Sequence, residues 1–249
     1  MHYVEIMRSR RVLLWYTIIL VGMTGIMAAS VVGGHSTIND AGPIPLGEIL
    51  LGCAVGAYVV ATIVSTGLVS ELGTLPITWT RPVARDRIAW SYVAVDLATI
   101  LIAYVILVAV VLVCVALLGV IGYVFAGPHT WAGFVLGFGS AVMWYALTLT
   151  AASLVGGHGV RVAAFSWLAF LVMQSVWEAP VPAPIHAVLI ALNYLNPIAY
   201  VNGVSFDMAA HSDRPHAIVA SLGTRIALEW IISAVALVAA VRIWSTREA

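Results

Sequence analysis

Lysine is absent from the 249 residues, and all eleven basic side chains are arginine. Charge of either sign is scarce, at 9% of the chain, where a soluble domain carries roughly 25%. That scarcity leaves no basic face able to track a phosphate backbone, so no nucleic-acid partner is expected. The two cysteines, Cys53 and Cys114, both sit inside apolar runs. They exclude a disulfide framework, and two isolated thiols do not make a metal site. The GxxxxGK[ST] phosphate-binding pattern is missing. The Gly-rich stretch VGGHGVR at 155–161 has no lysine and no strand before it, and reads as a tight turn. The chain is therefore not expected to hydrolyse ATP itself. HExxH, GxSxG and paired-aspartate patterns are missing too, which argues against an intramembrane enzyme.

What fills the chain instead is apolar sequence: 62% of residues are hydrophobic, and the mean hydropathy is +1.05. A spanning helix needs about 20 mostly apolar residues. That requirement predicts an all-α membrane protein, a single domain over 1–249, with six spans near 12–32, 46–69, 90–120, 131–155, 163–177 and 218–243. The N-terminal MHYVEIMRSRR is polar and then basic, like the start of a signal peptide, but the following apolar run is too long for one and reads as a retained first span. The third run exceeds one crossing and must tilt or continue at headgroup level through Phe125. Between spans five and six, residues 185–204 are apolar but broken at Asn196-Pro197 and Gly203, which suits a re-entrant or interfacial helical pair.

Six spans place both termini on one side. Arg8, Arg10, Arg11, Arg81, Arg85, Arg87, Arg161, Arg242 and Arg247 share that side, and Arg214 falls on the other. The asymmetry makes the shared side cytoplasmic. The longest basic interruption, ELGTLPITWTRPVARDR at 71–87, then lies in a cytoplasmic loop between spans two and three. Pro76 ends any helix continuing from span two. Leu72, Leu75, Ile77 and Trp79 are apolar residues with no membrane left to enter, which suits a short helix lying against something. Pro82 fits the first turn of a new helix, with Asp86 near its positive end. An anchor would need only the arginines.

Glu71, Gly73, Thr74 and Leu75, followed by Pro82, Val83, Ala84 and Arg85, resemble the loop between spans two and three of the type-2 permeases of ATP-binding-cassette exporters. Those read roughly Glu-x-x-Gly-Thr-Leu, a few residues, then Pro-Val-Ser-Arg. Here the Glu-to-Gly spacing is one shorter, Ala84 stands for the serine, and Tyr92 for a frequent lysine. The Asn196-Pro197 step in LNYLNPIAY is a second, weaker match. The resemblance covers the whole six-span layout. It implies that Glu71, Leu72, Gly73, Thr74, Leu75, Trp79, Arg81, Pro82, Arg85 and Arg87 form a coupling helix that docks on a separate ATPase subunit, with ATP and magnesium held on that partner. It further implies a second permease copy or paralogue, export as the direction, and residence in a prokaryotic cytoplasmic membrane.

Among the polar residues inside the predicted spans, Asp96, Gln174, Arg225 and Glu229 are the candidates for a translocation path or intramembrane polar patch. Buried ionisable groups in a bilayer are expensive and face the bundle interior or a cavity. Arg225 and Glu229, at i and i+4, share a helix face. They read either as a polar patch on a translocation route or as a self-neutralising pair that fixes packing. Trp144, Tyr145, Trp167, Met173 and Trp177 suit interface belts more than cargo contacts. Gly133, Gly137, Gly139 and Ser140 predict close helix packing in span four. Asp207, Met208, His211, Asp213 and His216 collect in an outer segment without rigid ligand spacing, and read as a solvated loop rather than a copper or zinc site. The readings that compete are a transporter subunit, an intramembrane enzyme and a non-transporting assembly or anchoring subunit.

Overall fold

The computed structural model describes residues 2–33, 43–67, 85–155, 159–176, 182–206, 211–213 and 221–246. Its helices, in order, are α1 (His2–Gly33), α2 (Leu46–Gly52), α3 (Ala54–Ser65), α4 (Arg85–Leu117), α5 (Thr130–Val155), α6 (Gly159–Val176), α7 (Ala183–Asn193), α8 (Pro197–Val201) and α9 (Leu222–Thr246). Two short strand pairs accompany them. β1 (Ile44–Pro45) pairs in parallel with β2 (Val124–Phe125), and β3 (Val204–Phe206) pairs antiparallel with β4 (His211–Asp213). Four helical segments among the described residues are long and apolar enough to cross a membrane: Leu46–Ser65, Asp86–Leu117, Thr130–Val155 and Leu222–Thr246. The chain is an all-α membrane protein.

The helices depart from the hydropathy boundaries for local reasons. The first apolar run belongs to a helix that starts ten residues earlier, at His2, and carries Arg8, Arg10 and Arg11 within it. The second is two helices joined at Cys53. The backbone bonds from Cys53 N to Ile49 O (3.1 Å) and from Ala57 N to Cys53 O (3.3 Å) hold them as one rod. The third, α4, has 33 residues, or about 50 Å at 1.5 Å per residue, longer than a hydrocarbon core of about 30 Å. It does not run on to Phe125. Gly119, at φ +73°, takes the left-handed position that ends a helix. Val120 N then donates to Val115 O (3.1 Å) and Gly119 N to Ala116 O (3.0 Å), satisfying the last carbonyls. A 3₁₀ turn at Ile121–Tyr123 leads into β2, whose pairing with β1 ties this end to the start of α2.

Between α6 and α9 the predicted break is present. Asn196 caps α8, its Oδ1 accepting from Ile198 N at 3.2 Å, and Pro197 fills the first helical position, where no N–H is needed. Asn196 is fully buried, and its Nδ2 donates to Phe170 O (3.3 Å) and Asn193 Oδ1 (3.2 Å), tying α8 to α6 and α7.

Side-chain contacts fix the direction of each long helix. Arg8 of α1 reaches Ile63 O near the end of α3, while Tyr16 packs on Gly56 further back, so α1 and α3 run antiparallel. Tyr58 meets Ser140 and Thr62 meets Trp144, so α3 and α5 run parallel. Asp96 meets Tyr145 and Tyr104 meets Gly137, so α4 opposes α5. Glu229 meets Gly139 and Ala236 meets Thr150, so α9 follows α5. α6 folds back after only residues 156–158. The chain start, the root of the 68–84 segment and the end of α9 therefore share one end of the bundle. Arg8, Arg10, Arg11, Arg87, Arg161 and Arg242 all sit toward it.

α5 is the core. Its middle, from Gly139 through Ala146, is buried apart from half-exposed neighbours beyond it, with Met143, Trp144 and Tyr145 fully enclosed. A helix that is apolar all round suits that place. Close approach comes from the predicted small residues. A Cβ on Gly133 would lie 2.5 Å from Gly47 O, and one on Gly137 2.8 Å from Leu50 O.

Candidate functional site

Two regions collect the residues singled out from sequence. The first is the Arg-bearing end. Glu71, Leu72, Gly73, Thr74, Leu75, Trp79, Arg81 and Pro82 lie outside the described residues. Their flanks are described. Arg85 opens α4, with Asp86 and Arg87 exposed in its first turn. Asp86 there faces the helix's partial positive charge. At the other flank, Arg8 Nη2 donates to Ile63 O at 3.4 Å. Its guanidinium lies directly over the Cα of Gly67, where any Cβ would collide with it. A cation on the last carbonyls of a helix complements the negative end of its dipole. Sequence reasoning read Arg8 only as part of a positive-inside cluster. Its contact with the end of α3 depends on how α1 packs, which no local pattern reveals.

The second region is the polar interior. Asp96 is buried and accepts from Tyr145 Oη at 2.9 Å. Gln174 is half-buried, and its Oε1 accepts from Asn196 Nδ2 at 3.5 Å. Arg225 and Glu229 are both fully buried on the face of α9 turned to α5. Arg225 Nη1 donates to Asn202 O (3.2 Å) and Tyr200 O (3.4 Å), the carbonyls that end α8. It gives no hydrogen bond to Glu229, whose two carboxylate oxygens have no hydrogen-bond partner among the described residues. Shared face and shared burial are thus as the i, i+4 spacing implies, while direct pairing is replaced by a tie to backbone. Glu229 Oε2 instead lies against Gly139: a Cβ there would come 2.5 Å from it and 3.0 Å from Trp230 Nε1. Tyr58, donating to Ser140 Oγ at 3.0 Å, lies beside the same spot.

Trp144 and Tyr145 are not interface residues; both are fully buried. Trp144 stacks on Tyr58 with ring centroids 4.7 Å apart and meets Trp167 and Phe170 at 4.6 Å. Both indole N–H groups, from Trp144 and Trp167, donate to Thr62 Oγ1 at 3.0 Å. That hydroxyl donates in turn to Tyr58 O at 2.7 Å. One threonine so joins α3, α5 and α6. The sequence carried a signal for it only in hindsight: two Trp at one depth need acceptors when buried. Among the described residues no group of three or more His, Cys, Asp or Glu is placed to hold a metal.

No known family model, characterised protein or solved structure gives a significant match to this chain.

Proposed function

We propose that this chain is the membrane-spanning permease subunit of an ATP-binding-cassette exporter, working with a separate ATPase and a second permease copy or paralogue. The observation that carries the reading is the segment at 71–87, with its Glu71, Gly73-Thr74-Leu75 and Pro82-Val83-Ala84-Arg85 pattern. The fold supports it in two ways. The segment leaves α3 and enters α4 at the Arg-bearing end, where a cytoplasmic ATPase has access. Arg8 also packs on its root, so a displacement of the segment is passed to α1 as well as to α3 and α4. ATP binding would close the ATPase pair, and the docked segments would carry that motion into the spans. The six-span layout, with α1 and α6 as the two shorter or less apolar crossings, is supported by the alternating helix directions.

Docking needs an apolar ridge as well as charge. Replacing Leu72 and Leu75 with Asp is expected to leave the amount of permease in the membrane unchanged, since neither lies in a span, while a co-expressed ATPase partner no longer co-purifies. Loss of one rim arginine should weaken docking only modestly, because exposed ion pairs contribute roughly 0–1 kcal/mol. Full retention of the ATPase by the double variant would reduce the segment to an anchor and remove the main support for the transporter reading.

Topology has its own test. In a variant with Cys53 and Cys114 replaced by Ala, single cysteines at Ser70 and Ser212 should label from opposite sides of the membrane. Labelling of both from the same side overturns the alternating six-span arrangement.

A further inference from the structure

Glu229 stands out because nothing in the proposed transport cycle uses it. It is fully buried in an apolar helix, and neither carboxylate oxygen has a hydrogen-bond partner among the described residues. An ionised carboxylate enclosed this way carries a desolvation cost of several kcal/mol or more unless it is paired. The nearest cation among the described residues, Arg225 one turn away, commits Nη1 to the carbonyls of Asn202 and Tyr200. A metal ion does not fit. Hard cations require about six oxygens, whereas among the described residues the surroundings offer one carboxyl group, a tyrosine and a serine. Ser140 Oγ is already occupied, accepting from Tyr58 and donating to Gly137 O at 3.0 Å. The remaining cation of suitable size is a proton.

We propose that Glu229 is a proton-binding site inside the span, and that its proton sets whether Arg225 ties α9 to α8. With the proton bound, the carboxyl is neutral and Arg225 holds the two carbonyls. When the proton leaves, a bare carboxylate remains one helical turn from a guanidinium. Coulomb attraction at low dielectric then draws Arg225 from backbone to Glu229. The tie is present at lower pH and lost as pH rises. The other groups that face this point do not substitute for it. Tyr58 from α3 is engaged with Ser140, and Tyr200 of α8 donates to Tyr194 O at 2.9 Å. α5 presents Gly139 and Ser140. On α4, which also packs on α9, Tyr104 donates to Leu50 O at 2.7 Å and Asp96 accepts from Tyr145. The site is independent of the ATPase reading and holds whatever drives transport.

Infrared spectroscopy of the purified full-length protein in D₂O tests it. The wild type should show the carbonyl stretch of a protonated carboxylic acid at neutral pH. Glu229→Gln should lack that band and Asp96→Asn should keep it. Selective ¹³C labelling of glutamate shifts the band in the wild type, which assigns it to glutamate rather than aspartate, and only an enclosed glutamate keeps its proton at neutral pH, so the test stands even if Glu229→Gln folds poorly. Hydrogen exchange over 197–203, corrected for intrinsic pH dependence, should lose protection in the wild type as the band disappears, and stay pH-independent in Glu229→Gln. A glutamate spectrum showing only ionised carboxylate at neutral pH overturns the site. A band that titrates while 197–203 stays equally protected overturns the link to Arg225.

Discussion

Replacing Gly133 with valine is expected to remove most of the folded protein. The Cβ alone would lie 2.5 Å from Gly47 O, 2.8 Å from Gly47 Cα and 3.0 Å from its carbonyl carbon. Nothing there is the movable tip of a side chain; both sides are helix backbone. Overpacking costs about 1–3 kcal/mol where neighbours can shift, and two rigid backbones put this site at or above the top of that range. To make room, α2 and α5 must part. That separates the Gly137–Leu50 approach one turn further along as well. Yield of monodisperse protein and thermal unfolding in detergent report the effect. Gly22→Val is the matched control, since a Cβ there meets nothing within 4 Å. An unfolding temperature for Gly133→Val equal to that of the control would mean the helices do not touch at this point.

Thr62→Val should be the second large loss, for a chemical rather than a steric reason. Valine matches threonine in shape but removes the one oxygen that accepts from both Trp144 Nε1 and Trp167 Nε1. A buried donor left without an acceptor costs about 1–3 kcal/mol, so the two together cost about 2–6 kcal/mol. The half-buried position of Trp167 places its share toward the low end. Thr62→Ser keeps the oxygen and should recover most of the stability. Thermal unfolding of the three proteins gives the ranking, and tryptophan emission should shift in Thr62→Val and not in Thr62→Ser. Equal stability of the valine and serine variants would show that ring stacking alone holds this junction.

Four of the predicted runs coincide with helices long and apolar enough to cross a membrane, because bilayer thickness sets a length that apolar runs must meet. Asn196-Pro197 was legible as a break for the same kind of local reason: a capping side chain followed by a residue without an N–H. The inward faces were not legible. Along α5 nearly every residue is apolar, so hydropathy has no period to show which side meets which neighbour. That is why Trp144 reads as an interface residue from sequence and is central in the fold. The glycines of α5 pointed to close packing, but only the partner helices reveal that Gly133 faces Gly47 and Gly139 faces Glu229. For Arg225 and Glu229, spacing gave the shared face and suggested either a polar patch or a self-neutralising pair. The carbonyls of Tyr200 and Asn202, which accept from Arg225 Nη1, come from a segment more than twenty residues upstream and could not be foreseen. The 68–84 segment lies outside the described residues, so its reading still rests on its own residue pattern and on the two flanks.

The contact of Arg8 with the end of α3 has a mechanical consequence. A guanidinium resting on the Cα of Gly67 makes α1 a strut braced against the base of the arginine-bearing segment, rather than a tether for the N-terminus. Force applied there is shared among three rods instead of two. Under the proposed coupling, shortening Arg8 to alanine would leave the helices in place and still introduce slack, so that an input stroke of fixed size would deliver less movement at the far end of the bundle.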